Sequence, residues 1–355
     1  MIRIALLPGD GIGPEIFAGP MALLERLAIT GHVKTTGPWP IGASAYQSYG
    51  VGLPAATLAA CEEADAILFG AVGDHPGFAA PDYRPETSLI YLREHFDLRI
   101  SIRQVWRNGR PPLTIVRNLL GGAYGGADAR TESDGRGPAS DLVRLTPEQI
   151  REVVEIGLGY LSPETPLLLS VDKANLLATS RLWRRVTSRL AEERGIACRH
   201  VLVDNFAFEL ARRPLPAGVI VTEGLFGDIL SDLAAGRAGA IALCSSASIH
   251  PGAPARGRCA GLFEPVHGTA PDLAGKGIAN PVGVYLALAA LLEWFPETAQ
   301  LAPAVRQGVA RTLAEGPLTA DLAPPGERAA STAEFAAAVN ARCAALLQEL
   351  PRLSL

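Results

Sequence analysis

The opening of the chain constrains the fold most. An apolar run, Ile2 to Leu7, broken only by Arg3, stops at a glycine turn and gives way to a helical pattern from Pro14 to Leu27. A short apolar run without alternation is the mark of a strand buried on both faces, and in a parallel sheet a helix makes the return. The pattern recurs. Ala66 to Phe69 reads as a strand leading into the turn Gly70 to Gly77, and Thr87 to Phe96 as a helix. Leu113 to Val116, Leu167 to Val171 and Val219 to Val221 are strand-like, while Asp228 to Ala235 and Val282 to Trp294 are helical. This alternation predicts an α/β fold. Residues 119 to 141, rich in glycine, read as a protruding arm or a loose loop, and residues 316 to 327 as a connection before a last helix, Thr332 to Leu350.

Composition excludes several classes. With 48% hydrophobic and 19% charged residues, the 355-residue chain is typical of a globular protein with a large core. A net charge of −4 gives no reason to expect a nucleic-acid partner. The run Val282 to Leu292 is too short to span a bilayer, and the N-terminus lacks the length and cleavage site of a signal peptide. A cytoplasmic protein without membrane attachment is expected. The cysteines at 61, 198, 244, 259 and 343 are odd in number and lack C-x-x-C spacing, so buried free thiols are expected, not disulfides or a zinc centre. Only Lys34, Lys173 and Lys276 of the 32 basic residues are lysines. Where arginine is the default cation, a retained lysine suggests use of an amine that can give up a proton.

Several segments could carry chemistry. Gly9 to Glu15 follows a strand and opens a helix, as a dinucleotide-binding turn would, but Ile16 stands where the third glycine of G-x-G-x-x-G belongs; a plain tight turn is the alternative. Asp228 and Asp232, four apart on a helix, put two hard oxygen donors on one face, suited to Mg²⁺ or Mn²⁺ or simply to a solvated acidic surface; Ile229, Leu230 and Leu233 would bury the opposite side. Glu86, Leu89, Ile90 and Arg93 form a helical stripe fit for a substrate with a carboxylate at one end and an alkyl group at the other. If Leu98 to Arg103 is extended, Arg99, Ser101 and Arg103 share a face; with Arg117 they are candidate carboxylate clamps or ordinary surface pairs. Lys173 closes an apolar strand, Asp204 follows in similar style, and Glu264 to Pro281 is a long polar loop of the kind that is usually functional.

Taken together, LPGDGIGPE at 7–15, the arginine segment 86–103, VR at 116–117, GGAY at 121–124, VDKAN at 171–175, VD at 203–204, FGDILSD at 226–232 and EPVHGTAPDLAGKGIANP at 264–281 resemble the β-decarboxylating dehydrogenase family. That family holds the 3-isopropylmalate, isocitrate, homoisocitrate and tartrate/D-malate enzymes. The resemblance implies a two-domain fold with a non-Rossmann dinucleotide site. The cofactor-binding domain would join 1–98 to 239–355; residues 99–238 would carry substrate, metal, the arm and the dimer interface. It further implies that Arg93, Arg103 and Arg117 hold the substrate carboxylates beside Glu86, Leu89 and Ile90. Asp228 and Asp232 would bind Mg²⁺ or Mn²⁺ with Asp204 of the partner subunit. Lys173, also from the partner, would take the hydroxyl proton, and Tyr124 would protonate the enol left by decarboxylation. Gly11, Ile12, Glu15, Glu264, His267, Gly268, Ala270, Asp272 and Asn280 would line the cofactor groove.

Asp272 would accept from a ribose 2′-hydroxyl and repel a 2′-phosphate, which favours NAD. The expected reaction is oxidation and decarboxylation of a 3-substituted malate, first of all 3-isopropylmalate in leucine biosynthesis, by a homodimer with shared active sites. Isocitrate, homoisocitrate, D-malate or tartrate as substrate, and an inactive regulatory relative, are the alternatives. Departures crowd the substrate end: Asn118 stands for the usual glutamate, Gly224 for asparagine, Arg99 for an aromatic and Gln104-Val105 for Arg-Pro.

Overall fold

The computed structural model describes residues 1–29, 31–73, 80, 83–107, 110–124, 130–131, 136–252 and 258–349. Residues 74–77 of the turn that follows Phe69, 125–129 and 132–135 of the expected arm, and Leu350 lie outside these. The chain divides into two compact units, Met1–Phe96 with Ala240–Ala247 and Gly252–Leu355, and Asp97–Gly239 with Ser248–Pro251.

In the first unit the strands run in the order Val33–Thr36, Ile2–Gly9, Ala66–Ala71, Gly261–Pro265, Cys244–Ile249. The pairs Ile2↔Val33, Ile4↔Ala66 and Leu262↔Ile67 are all parallel. Every residue of Ala66–Ala71 is buried, as an unalternating apolar run requires. The helix Val282–Trp294 is apolar nearly all round and lies in the core, with Tyr285 completely buried and its hydroxyl donating to Asn340 Oδ1 at 2.7 Å. The helices Gly13–Ile29, Ala302–Glu315 and Thr332–Glu349 are amphipathic and bury one face each.

In the second unit the strands are ordered Ile100–Arg107, Arg110–Asn118, Gly218–Thr222, Leu168–Asp172, Cys198–Leu202. The first two form an antiparallel pair with Ile100 opposite Asn118; the others are parallel. Because they run the same way, Arg117, Thr222, Asp172 and Leu202 come abreast at one edge: Thr222 pairs with Arg117 and Val171, and Asp172 pairs with Leu202. The residues that leave those strands are Lys173, the helix Val203–Arg212 with Asp204 in its first turn, and the helix Gly224–Ala238 with both candidate metal carboxylates. Sites of open α/β sheets gather at this carboxyl edge. In the arm region, Arg130–Thr131 pairs antiparallel with Ser140–Asp141.

Two local expectations need correction. The strand expected over 98–103 starts at Ile100, and Ile100, Ser101 and Ile102 are all buried, so it is covered on both faces rather than alternating. Arg99 precedes it and is held by Asp97 Oδ1 at 3.1 Å and Glu152 Oε1 at 2.9 Å. Ile229, expected to bury its side of the carboxylate helix, is 60% exposed, while Leu230 is fully buried. Sequence reasoning missed the helices Pro147–Gly159 and Ala178–Glu193, although the Thr146/Gln149 capping box and the stripe Ile150, Val153, Val154 and Gly157 mark the first, and Trp183, Leu190 and Ala191 fall on one face of the second. All five cysteines are free thiols; burial pushes those of Cys61 and Cys343 up to about 12, which makes them poor nucleophiles. Among the described residues no helix is long and apolar enough to cross a membrane.

Candidate active site

The helix Gly224–Ala238 lies against the strands that carry Arg103 and Arg117, and Asp228 is the point where their side chains meet. Arg117 is nearly fully buried, donating from Nη2 to Asp228 Oδ1 at 2.7 Å and from Nη1 to the Gly224 carbonyl at 2.9 Å. Such a fork fixes both the helix start and the carboxylate, which a lysine could not do. Arg103 reaches Asp228 Oδ1 at 3.2 Å and Asp232 Oδ1 at 2.9 Å, and donates to Ser231 Oγ at 2.6 Å. Gly227 permits the approach, since a Cβ there would stand 2.7 Å from Arg117 Cδ.

Tyr124 completes the cluster. Its hydroxyl donates to Asp228 Oδ2 at 3.1 Å, and the Arg117 guanidinium lies 5.9 Å from its ring centroid. Burial, and then the Asp228 charge, hold the Tyr124 phenol above its ordinary pKa, so it keeps its proton at neutral pH. Asp228 and Asp232 remain open to solvent, their side chains 40% and 60% exposed. Hard, reachable carboxylate oxygens on one helix face, with arginines offsetting their repulsion, fit a divalent cation. Among the described residues no three acidic, histidine or cysteine side chains converge on one point, so one chain contributes only two carboxylates here.

Lys173 and Asp204 form a separate pair, Nζ to Oδ1 at 2.6 Å, at the ends of neighbouring strands. The Lys173 hydrogen bond, with help from the backbone, holds the Asp204 carboxyl below the usual carboxylate range.

The other expected residues belong to the first unit. Gly11 has φ +58°, and a Cβ on it would fall 2.2 Å from the Thr269 carbonyl; the next amide, Ile12, donates to that carbonyl at 2.9 Å. The first glycine turn is thus docked on the polar loop. Glu15 accepts from the amides of Ala279 at 2.8 Å and Gly277 at 3.2 Å and from Thr332 Oγ1 at 2.7 Å, so its carboxylate ties that loop together. Asn280 donates to Asp321 Oδ2 at 2.9 Å and accepts from the Val282 amide at 3.0 Å, a turn that leads into the next helix. Glu264 is buried at a strand end and takes Arg93 Nη2 at 2.7 Å. His267 Nδ1 lies 3.0 Å from the Gly268 carbonyl, its Nε2 is buried without a partner, and burial lowers the ring's pKa, so the imidazole is neutral. Ala270 has a left-handed φ of +40°, rare for a residue with a Cβ and common at functional loops. Gly268 and Asp272 are exposed. On the helix Glu86–His95, Ser88 and Leu92 face the core, while Glu86 and Ile90 are exposed and Leu89 and Arg93 half-buried. The predicted stripe is therefore not the core face of its helix.

Sequence reasoning missed Ser231, whose hydroxyl accepts from Arg103 and donates to the Asp228 backbone carbonyl, although its place three residues after Asp228 was a usable signal. It also missed Glu223, buried at the start of the same helix with Oε2 unpartnered and its carboxyl pushed up to about 7 by burial. Nothing local marks a carboxyl for burial; only the packing does. Asn118 is 2% exposed, with both amide atoms unpartnered.

The comparisons with known proteins address the family to which the chain belongs. The isocitrate/isopropylmalate dehydrogenase family model matches residues 3–339. A 3-isopropylmalate dehydrogenase of Geobacillus kaustophilus is 40% identical, over 94% of this chain and 93% of its own length. One of Desulfitobacterium hafniense is 38% identical over 96% and 99%. Among solved structures, the β-decarboxylating dehydrogenase of Thermococcus kodakarensis aligns with a TM-score of 0.79 at 32% identity, covering 98% of both chains. The isocitrate dehydrogenase of Methylococcus capsulatus gives 0.81 at 30%, covering 97% and 99%. A family match over nearly the whole chain, joined to relatives and structures of the same class, leads to one conclusion: the chain belongs to the isocitrate/isopropylmalate dehydrogenase family.

Proposed function

We propose that this chain is an NAD-dependent, Mg²⁺- or Mn²⁺-requiring dehydrogenase that oxidises and decarboxylates a 3-alkylmalate, foremost 3-isopropylmalate. It acts as a homodimer whose active sites are shared. One observation carries the reading: Asp228 is held at once by Arg117, Arg103 and Tyr124, so carboxylate clamp, metal carboxylate and proton donor occupy a single cluster. The second unit serves substrate, metal and dimerisation, and the first unit the cofactor.

Asp228 and Asp232 would hold the cation together with Asp204 of the partner subunit. Bound there, a nicotinamide would supply the acceptor for the hydride on C2, and a divalent cation the positive charge that offsets the oxygen at C2 as carbon dioxide leaves. Arg103 and Arg117 bind the substrate carboxylates and fix which face of C2 is presented, with Arg93 as a third clamp. Lys173 Nζ takes the hydroxyl proton, and Asp204, hydrogen-bonded to it, orients the amine. Tyr124 Oη keeps its proton until the enol forms and then delivers it to carbon. The resemblance assigns Lys173 and Asp204 to the same neighbouring site, and their mutual hydrogen bond supports that they travel together. Phe208, Leu225 and Ile229, exposed on the packed helices Val203–Arg212 and Gly224–Ala238, supply an apolar face for a second copy.

The substrate assignment rests on Leu89 and Ile90 beside Arg93, and on Arg99 being held by Asp97 and Glu152 rather than free to meet an anionic substituent. Steady-state kcat/KM with 3-isopropylmalate, isocitrate and D-malate tests it, each with NAD and NADP and with Mg²⁺, Mn²⁺ or chelator. Isopropylmalate with NAD should lead isocitrate by about two powers of ten, the order set by burying an unpaired carboxylate against Glu86. A preference for isocitrate, for NADP, or full turnover after chelation would overturn the corresponding part.

A further inference from the structure

In the second unit, the helices Pro147–Gly159 and Ala178–Glu193 pack together and leave between them a groove of about 380 Å³. It is lined by Pro147, Glu148, Arg151, Leu182, Arg185, Val186 and Arg189. Leu182, Arg185, Val186 and Arg189 fall at i, i+3, i+4 and i+7, one stripe of the second helix. That stripe is distinct from the buried one made by Ser180, Trp183, Thr187, Leu190 and Ala191. The groove therefore presents three guanidinium groups against one carboxylate, over the apolar stems of Leu182, Val186 and Pro147.

The other arginines of the second helix have structural partners. Arg184 donates to the buried Asp172 at 2.7 Å, and Arg181 to the carbonyls of Ala174 and Leu176. Arg185 and Arg189 make no hydrogen bond or ion pair among the described residues. Arg151 is only loosely paired with Glu155, at 3.7 Å between exposed side chains. Helix stability does not account for these charges either. The helix has no acid in its first turn and no base in its last, ending instead on Glu192 and Glu193, so its charges run against the macrodipole. In a chain of net charge −4, an uncompensated cationic groove with an apolar floor calls for an anionic ligand.

We propose that this groove binds a small organic phosphate. Arg185 and Arg189, four apart, hold their Cβ atoms about 6 Å apart on one helix, and Arg151 faces them from the other. Guanidinium forks suit a phosphate dianion, which offers three terminal oxygens on one head, better than a carboxylate, which offers two. Leu182, Val186 and Pro147 receive the organic body, and Glu148 selects against a second anionic group on it. The volume falls in the range of small-ligand pockets. This proposal is independent of the active-site reading.

The test uses the full-length protein and phenyl phosphate as probe, titrated by calorimetry, with hydrogen exchange to locate it. Saturable binding is expected, with slowed exchange in the peptides covering 147–159 and 178–193. Inorganic phosphate should bind more weakly, since it lacks a body for the apolar floor. The double variant Arg185→Gln/Arg189→Gln keeps two helix-compatible, exposed side chains and should lower affinity about a hundredfold, roughly tenfold for each guanidinium removed. Its basal dehydrogenase kcat/KM should match wild type. Equal affinity in wild type and variant, protection confined to other segments, or no saturable binding in the millimolar range would overturn the proposal. Tighter binding of isophthalate than of phenyl phosphate would overturn the phosphate assignment.

Discussion

Gly224→Ala tests whether the placement of Tyr124 depends on a missing methyl group. Gly224 begins the carboxylate helix with no left-handed backbone angle, so conformation does not demand glycine there. Space does: a Cβ would stand 2.7 Å from the Asn118 carbonyl oxygen, 2.8 Å from Tyr124 Cδ2 and 3.0 Å from Cε2. The carbonyl belongs to a ladder strand and cannot yield, so the start of the helix must shift away from it, and the ring must retreat by about 0.6 Å to restore ordinary van der Waals separation. That carries Tyr124 Oη, now 3.1 Å from Asp228 Oδ2, beyond hydrogen-bonding range. Overpacking of this kind costs about 1–3 kcal/mol. The broken hydrogen bond adds about 1 kcal/mol, a low figure because Asp228 is partly solvated. Thermal unfolding should fall by several degrees, and kcat should drop about tenfold or more with little change in KM, because the displaced group is a proton donor. In a Tyr124→Phe background the alanine should lower kcat by much less, a coupling that a general loss of stability would not produce. A Gly224→Ala protein with wild-type kcat, or losses that simply add in the double variant, would refute the reasoning.

Glu223 makes stability pH-dependent. Burial raises its carboxyl to about 7 from 4.5, so the folded state binds the proton more tightly than the unfolded chain does. Its contribution is fully present below pH 4.5, declines as pH rises towards 7, and its loss is complete above that, on the order of 3 kcal/mol at most. Urea unfolding at pH 5 and pH 8 should show this slope in wild type and a shallower one in Glu223→Gln; identical slopes would disprove it. If Lys173 serves the neighbouring site, Lys173→Ala and Asp228→Asn protomers, each inactive alone, should regain activity when refolded together. Verified mixed dimers without activity would return the lysine to its own subunit's site.

Sequence and structure divide the information by range. Local order was legible where the backbone's own periodicity decides it. The runs Ile2–Leu7 and Ala66–Phe69 can only be strands buried on both faces, and Asp228 and Asp232, four apart, can only share a helix face. The motif blocks were legible for the same reason, since each is a contiguous turn or helix start. What each side chain meets was decided by tertiary structure alone, because hydrogen bonds such as Arg117 to Asp228 join residues more than a hundred positions apart. Sequence spacing put Arg99 on a face with Arg103, yet Glu152, on a helix about fifty positions later in the chain, claims it. The motif blocks pointed to Glu15 as a cofactor residue, whereas the fold commits its carboxylate to the amides of Gly277 and Ala279. Glu223 carried no local mark at all; strand register and packing bury it beside Asn118, and burial is a property of the assembled fold.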